Sequence, residues 1–147
     1  MKMKILHLED DIMFSHIVRS HLEGKEMHVY SVMDGESAWS VYLQEKPDLC
    51  LLDIILPGIS GIDLGERIRE LDSQIPIFYL SGECFSQIQD EVFGRGGANG
   101  FFSKTRNINE LSQWINQLVN NKSRGNAKYG NQDRRHDISR RQGGTCL

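Results

Sequence analysis

Short apolar runs alternate five times with segments of helical period, and this alternation restricts the fold more than any other feature of the chain. Met3 to Leu8 is an apolar run, and Ile12 to Leu22 sets Ile12, His16, Arg19 and Leu22 at helical spacing. Met27 to Val32 alternates β-branched and aromatic residues. Glu36 to Gln44 reads as a helix opened by the turn pair Asp34-Gly35 and broken by Pro47. Leu49 to Leu52 is continuously apolar and ends at Asp53, and Gly61 to Leu71 is helical with Ile62, Leu64, Ile68 and Leu71 as the expected inner stripe. Pro76 to Leu80 reads as a strand ending in Ser81-Gly82, followed by a helix from Phe85 to Phe93. Ala98 to Ser103 is the fifth strand, and Ile108 to Val119 the fifth helix, with Leu111, Ile115 and Leu118 on one face. Strands spaced by helices call for parallel crossovers, and runs apolar on both faces suit strands buried between two helical layers. The expected fold is α/β: a doubly wound, five-stranded parallel sheet with five helices.

The alternation stops near Asn121. The net charge of -3 hides a split there, with 10 Lys/Arg against 18 Asp/Glu over residues 1–121 and seven basic residues against Asp133 and Asp137 beyond. Residues 122–147 hold Tyr129, Ile138 and Leu147 as their large apolar residues, too few to offset the entropy of ordering them. The expectation is therefore a folded domain over 1–121 and a basic, disordered tail over 122–147. The tail's Arg pairs could meet nucleic-acid phosphates, an acidic partner or only water, and no DNA-binding domain is expected in this chain. No apolar run approaches the roughly 20 residues of a membrane span. The opening residues turn acidic too early for a secretion signal, so a cytoplasmic protein is expected. Cys50, Cys84 and Cys146 lack metal or disulfide spacing, and Cys50 reads as a small core residue.

In an open parallel sheet, ligands gather at the carboxyl ends of the strands. Those ends are Glu9-Asp10-Asp11 on the first strand, Asp53 on the third, Ser81 on the fourth and Lys104 on the fifth. Taken singly, each has a plain explanation as a loop former, helix cap or solvated cation. Taken together they describe one chemistry. Carboxylates crowded in a cleft repel one another, and a hard divalent cation such as magnesium relieves the repulsion. A carboxylate can act as nucleophile toward phosphorus, while metal, Lys and hydroxyl share the charge on the equatorial oxygens.

With these motifs the chain resembles the receiver domains of two-component response regulators, single-domain and chemotaxis-regulator-like. The resemblance runs from about Lys4 to Val119. It rests on Ile5-Leu6-His7-Leu8-Glu9-Asp10-Asp11; on Pro47-Asp48-Leu49-Cys50-Leu51-Leu52-Asp53-Ile54-Ile55-Leu56-Pro57-Gly58 with Gly61; on Leu80-Ser81-Gly82; and on Gly96 to Lys104. It implies the flavodoxin-like strand order 2-1-3-4-5. It also implies Asp53 as phosphoacceptor, Asp10 as a direct magnesium ligand, Glu9 acting through water and the Ile55 backbone carbonyl as a main-chain ligand. Lys104 would contact the phosphoryl group, Ser81 would be the switching hydroxyl, and Phe101 the aromatic switch or simply a core residue.

Three departures stand out. Thr105 follows Lys104 where the family usually has a proline in a cis bond; cis before Thr would cost about 3 kcal/mol more than trans. Gly82 replaces the commoner Ala after Ser81, and Asp11 adds a third acid that reads as a helix cap. Ile55 and Glu83 flank the site and are expected to tune hydrolysis of the phosphate.

The implied function is acceptance of a phosphoryl group on Asp53 from a histidine kinase or phosphotransfer protein. The charge would pull Ser81 and Lys104 inward and switch a protein-binding face of helix four, strand five and helix five. Such a protein is not an enzyme in the usual sense, since it catalyses only its own magnesium-dependent phosphorylation and dephosphorylation. Homodimerisation on phosphorylation is left open. Alternatives are a receiver fragment of a longer regulator, a pseudo-receiver acting by binding alone, and a haloacid-dehalogenase-like phosphohydrolase. That last class carries its nucleophile on the first strand in an Asp-x-Asp pattern, which Glu9-Asp10-Asp11 does not match.

Overall fold

The computed structural model describes residues 2–24, 26–56, 58–82 and 85–123. Five strands and five helices alternate: β1 Met3–Leu8, α1 Ile12–Leu22, β2 Met27–Val32, α2 Gly35–Glu45, β3 Leu49–Asp53, α3 Gly61–Leu71, β4 Ile77–Ser81, α4 Phe85–Phe93, β5 Gly100–Ser103 and α5 Ile108–Ser123. All pairings are parallel, in the order β2-β1-β3-β4-β5, which is the expected flavodoxin-like arrangement. Among the described residues no helix is long and apolar enough to cross a membrane.

The sheet separates two apolar layers. Leu6, Leu8, Cys50, Leu52, Ile77, Tyr79 and Phe101 face Ala38 and Tyr42 of α2, Ile62, Leu64 and Ile68 of α3, and Val92 of α4. Met3, Ile5, Val29, Leu49, Leu51, Phe78, Leu80 and Phe102 face Val18 and Leu22 of α1 and Leu111 and Ile115 of α5. Every residue of β3, β4 and β5 is buried, and the central strands β3 and β4 are apolar except for Asp53 and Ser81 at their carboxyl ends.

Local chemistry explains where the helices begin. The Asp11 carboxylate accepts from the backbone N–H groups of Met13 and Phe14, Asp34 from that of Ser37, and Ser60 from that of Asp63. α2 ends at Lys46, which adopts a left-handed conformation at φ 50 just before Pro47.

The structure corrects several expectations. The inner face of α1 is Val18 and Leu22 with Phe14 partly buried, whereas Ile12 is 67% exposed. Leu71 is 63% exposed, so the inner stripe of α3 ends at Ile68. β5 starts at Gly100 rather than Ala98, because the Asn99 side chain is used differently: its Oδ1 accepts from Ile77 N–H and from Arg69. α5 continues past the expected end at Val119 to Ser123. The side chain of Leu118 and residues 124–147, most of the expected tail, lie outside the described residues, as do Glu83, Cys84 and Cys146.

Candidate functional site

The chain leaves β1 toward β2 on one side and returns to β3 on the other, so the carboxyl ends of β1 and β3 adjoin at the reversal of strand order. Leu8 and Leu52 are the last paired residues there, and the next positions are Glu9 and Asp53. Both side chains are buried, Glu9 at 0% exposure and Asp53 at 4%. Asp10 is exposed, and oxygens of Glu9, Asp10 and Asp53 all lie within 4.8 Å of one another.

Lys104 enters from the end of β5. Its ammonium lies 2.7 Å from Glu9 Oε1 and 3.0 Å from Asp53 Oδ2. Burial alone would weaken the ammonium, but its bonds to Glu9 and Asp53 outweigh that and hold its pKa above the ordinary value. Glu9 behaves in the opposite way. Burial pushes its carboxyl up to about 7, the Asp53 charge adds to the rise, and the bond from Lys104 opposes it.

The backbone holds these groups in place. The Lys104 N–H donates to the Ser81 carbonyl at 2.9 Å, and the Asp11 N–H donates to Glu9 Oε2 at 3.1 Å. Gly61 at the head of α3 packs so tightly on Asp53 that a Cβ there would stand 1.8 Å from the Asp53 carbonyl oxygen. Only a residue without a side chain permits that approach. Ile55, two residues after Asp53, is exposed. Ser81 is buried at the end of β4, opposite Ser103 of β5. Phe101 is fully buried and level with Tyr79, so its ring already lies inside the core.

No described peptide bond is cis, in line with the cost of a cis bond before Thr105. Three features were not anticipated. The turn after Lys104 is closed by the Ser103 and Thr105 hydroxyls, 2.8 Å apart, where the family usually has a proline. The Phe14 ring of α1 has the Lys104 ammonium 5.1 Å from its centroid. His7 of β1 is fully buried with neither ring nitrogen hydrogen-bonded among the described residues, and burial followed by the Lys104 charge lowers its pKa to about 3. Thr105 could have been flagged as a hydroxyl two residues from Ser103. Nothing in sequence spacing links Phe14 to residue 104.

The acid set suits a hard cation. It offers only carboxylate oxygens, and Asp10 leaves one side open to water, as magnesium prefers.

Acids at the ends of β1 and β3 and an ammonium from the end of β5 thus meet at one edge of a doubly wound α/β sheet. The profile of the response regulator receiver domain family matches residues 5–116, and the chain belongs to that family. It is 30% identical over 118 residues to the transcriptional regulatory protein RprY of Bacteroides fragilis, covering 80% of this chain and 50% of that protein. It is 34% identical over 101 residues to the transcriptional regulatory protein CseB of Streptomyces coelicolor, covering 68% of this chain and 42% of that protein. The chain thus spans about half the length of the curated relatives it matches. A CheY-like response regulator receiver domain protein from Methanospirillum hungatei shares the fold, with a TM-score of 0.76 at 20% identity over 85% of this chain and 99% of that one.

Proposed function

We propose that Asp53 accepts a phosphoryl group from the phosphohistidine of a sensor kinase or phosphotransfer protein. The observation that carries this reading is the single ammonium of Lys104 bonded to both Glu9 and Asp53, with Asp10 beside them. An Asp53 carboxylate oxygen bonds to phosphorus as the P–N bond to the donor imidazole breaks, and the freed imidazole takes its proton from solvent. Asp10, Asp53, Glu9 and the Ile55 carbonyl would hold magnesium, which supplies neutralising charge for the phosphoryl oxygens. Lys104 shifts from its carboxylate partners toward the new phosphate, which carries roughly two negative charges. Ser81 would offer its hydroxyl to the same group.

The phosphate biases an existing equilibrium by its differential affinity for two arrangements. Because the Phe101 ring is already buried, the bias acts on Ser81 and on the face of α4, β5 and α5 more than on the entry of the ring. Output on this reading is a contact between that face and a protein target, with homodimerisation as one form of it. Exposed Ile12 and Met13, directly after the acids, offer apolar surface to the phosphodonor. The relatives' names as transcriptional regulators and their greater length favour, as a second reading, a receiver segment that acts through a joined domain.

The test is incubation with a small acyl phosphate and magnesium. The wild type should take up label and Asp53→Asn should not. Persistent labelling of Asp53→Asn would refute the assignment, and steady turnover of phosphoester substrates would favour a phosphohydrolase instead.

A further inference from the structure

Lys104 is a flexible side chain that must be aimed at a pocket it reaches from a strand of four residues, Gly100–Ser103, and from a turn without proline. Its ammonium has three neighbours of known position: Glu9, Asp53 and the ring of Phe14. The first two are the groups that must change partners when a phosphoryl group arrives. The third is not.

Phe14 is well anchored. Its own N–H is bonded to the Asp11 carboxylate at 3.1 Å, and its side chain packs on the apolar layer of α1 and α5. His7 of β1 meets it edge-on, with centroids 6.5 Å apart and the rings inclined at 62°. The ring that faces Lys104 is therefore fixed by α1 and β1 and does not depend on the loop that carries the lysine.

We infer that Phe14 is a positioning residue that holds the Lys104 ammonium at the height of the acid pocket while the ammonium exchanges carboxylate for phosphoryl oxygen. The face of an aromatic ring attracts an ammonium through its quadrupole, and this attraction persists whichever anion is present. A leucine of similar bulk would fill the space without it. The inference deepens the phosphoacceptor reading and rests on it.

The experiment uses the full chain with beryllofluoride and magnesium as probes, in wild type, Phe14→Leu and Phe14→Tyr. Phe14→Leu should weaken beryllofluoride binding by about two- to thirty-fold. Magnesium affinity measured without beryllofluoride should stay within about twofold, and Phe14→Tyr should restore wild-type binding. In the wild type, proton NMR should show the ε-methylene signals of Lys104 displaced upfield by the ring, a readout that needs no variant. Unchanged beryllofluoride binding in Phe14→Leu, proportional loss of both probes, failure of Phe14→Tyr to restore binding, or undisplaced ε-methylene signals would each overturn the inference. Absence of beryllofluoride binding in the folded wild type would instead overturn the phosphoacceptor reading beneath it.

Discussion

The Lys104 ammonium lies 2.7 Å from Glu9 Oε1, joining residues 95 positions apart and tying the end of β5 to the end of β1. Asp53 completes the contact at 3.0 Å from β3. Replacing Lys104 by Met leaves two buried carboxylates facing one another without their cation. Labelling of Asp53 by a small acyl phosphate should fall by about a hundredfold or more, the scale of losing one preorganised charge donor. Magnesium should raise the melting temperature of this variant by more than it raises that of the wild type, since one cation replaces another. Equal magnesium shifts would contradict the arrangement.

Asp10 and Asp11 are adjacent but should separate cleanly. Asp11 caps α1 through Met13 and Phe14, so Asp11→Ala should cost about 1 kcal/mol in denaturant unfolding and spare magnesium binding. Asp10→Asn should leave stability nearly unchanged and weaken magnesium binding, which titration calorimetry can read.

Two buried groups pull the pH dependence of the metal-free protein in opposite directions. Glu9 is raised from 4.5 to about 7, so its contribution is fully present below 4.5 and is lost as pH rises through about 7. His7 is lowered from 6.5 to about 3, so its contribution is present above 6.5 and is lost as pH falls toward 3. Between about 4.5 and 6.5 the two oppose each other. Chemical denaturation of His7→Val should expose a decline in stability with rising pH across that window, and adding Glu9→Gln should remove the decline.

Gly61→Ala should disturb the site out of proportion to its size, because the new methyl meets the Asp53 carbonyl at 1.8 Å and the strand end must shift. The expected destabilisation is about 2 kcal/mol. Its phosphorylation rate should fall even at temperatures where the variant is fully folded.

Helix faces offer a comparison of neighbouring residues. Ile68→Ala should cost about 2–5 kcal/mol, whereas Leu71→Ala should change stability by about 0.5 kcal/mol or less.

The sheet was legible because its strands are short, apolar and regularly spaced, and a buried parallel strand admits few other residues. The meeting of Glu9, Asp10, Asp53 and Lys104 was legible because the fold class delivers strand ends to one edge. Helix faces were less so. On α1, Ile12 resembles a core residue, yet the helix turns Val18 and Leu22 inward and leaves Ile12 in water. The approach of the Lys104 ammonium to the Phe14 ring was not legible, since it depends on how α1 settles beside the turn after β5 in three dimensions. Nor was the lack of a hydrogen bond to either His7 ring nitrogen among the described residues, since His7 looks like an ordinary strand residue until its neighbours are known.

The most direct measurement is chemical trapping of the modified residue. The full chain is treated with a small acyl phosphate and magnesium, reduced with borohydride, digested and sequenced by mass spectrometry. An acyl phosphate at Asp53 is reduced to homoserine, so position 53 alone should carry that change. Conversion at another aspartate, or none in a folded protein with magnesium present, would contradict Asp53 as the phosphoacceptor.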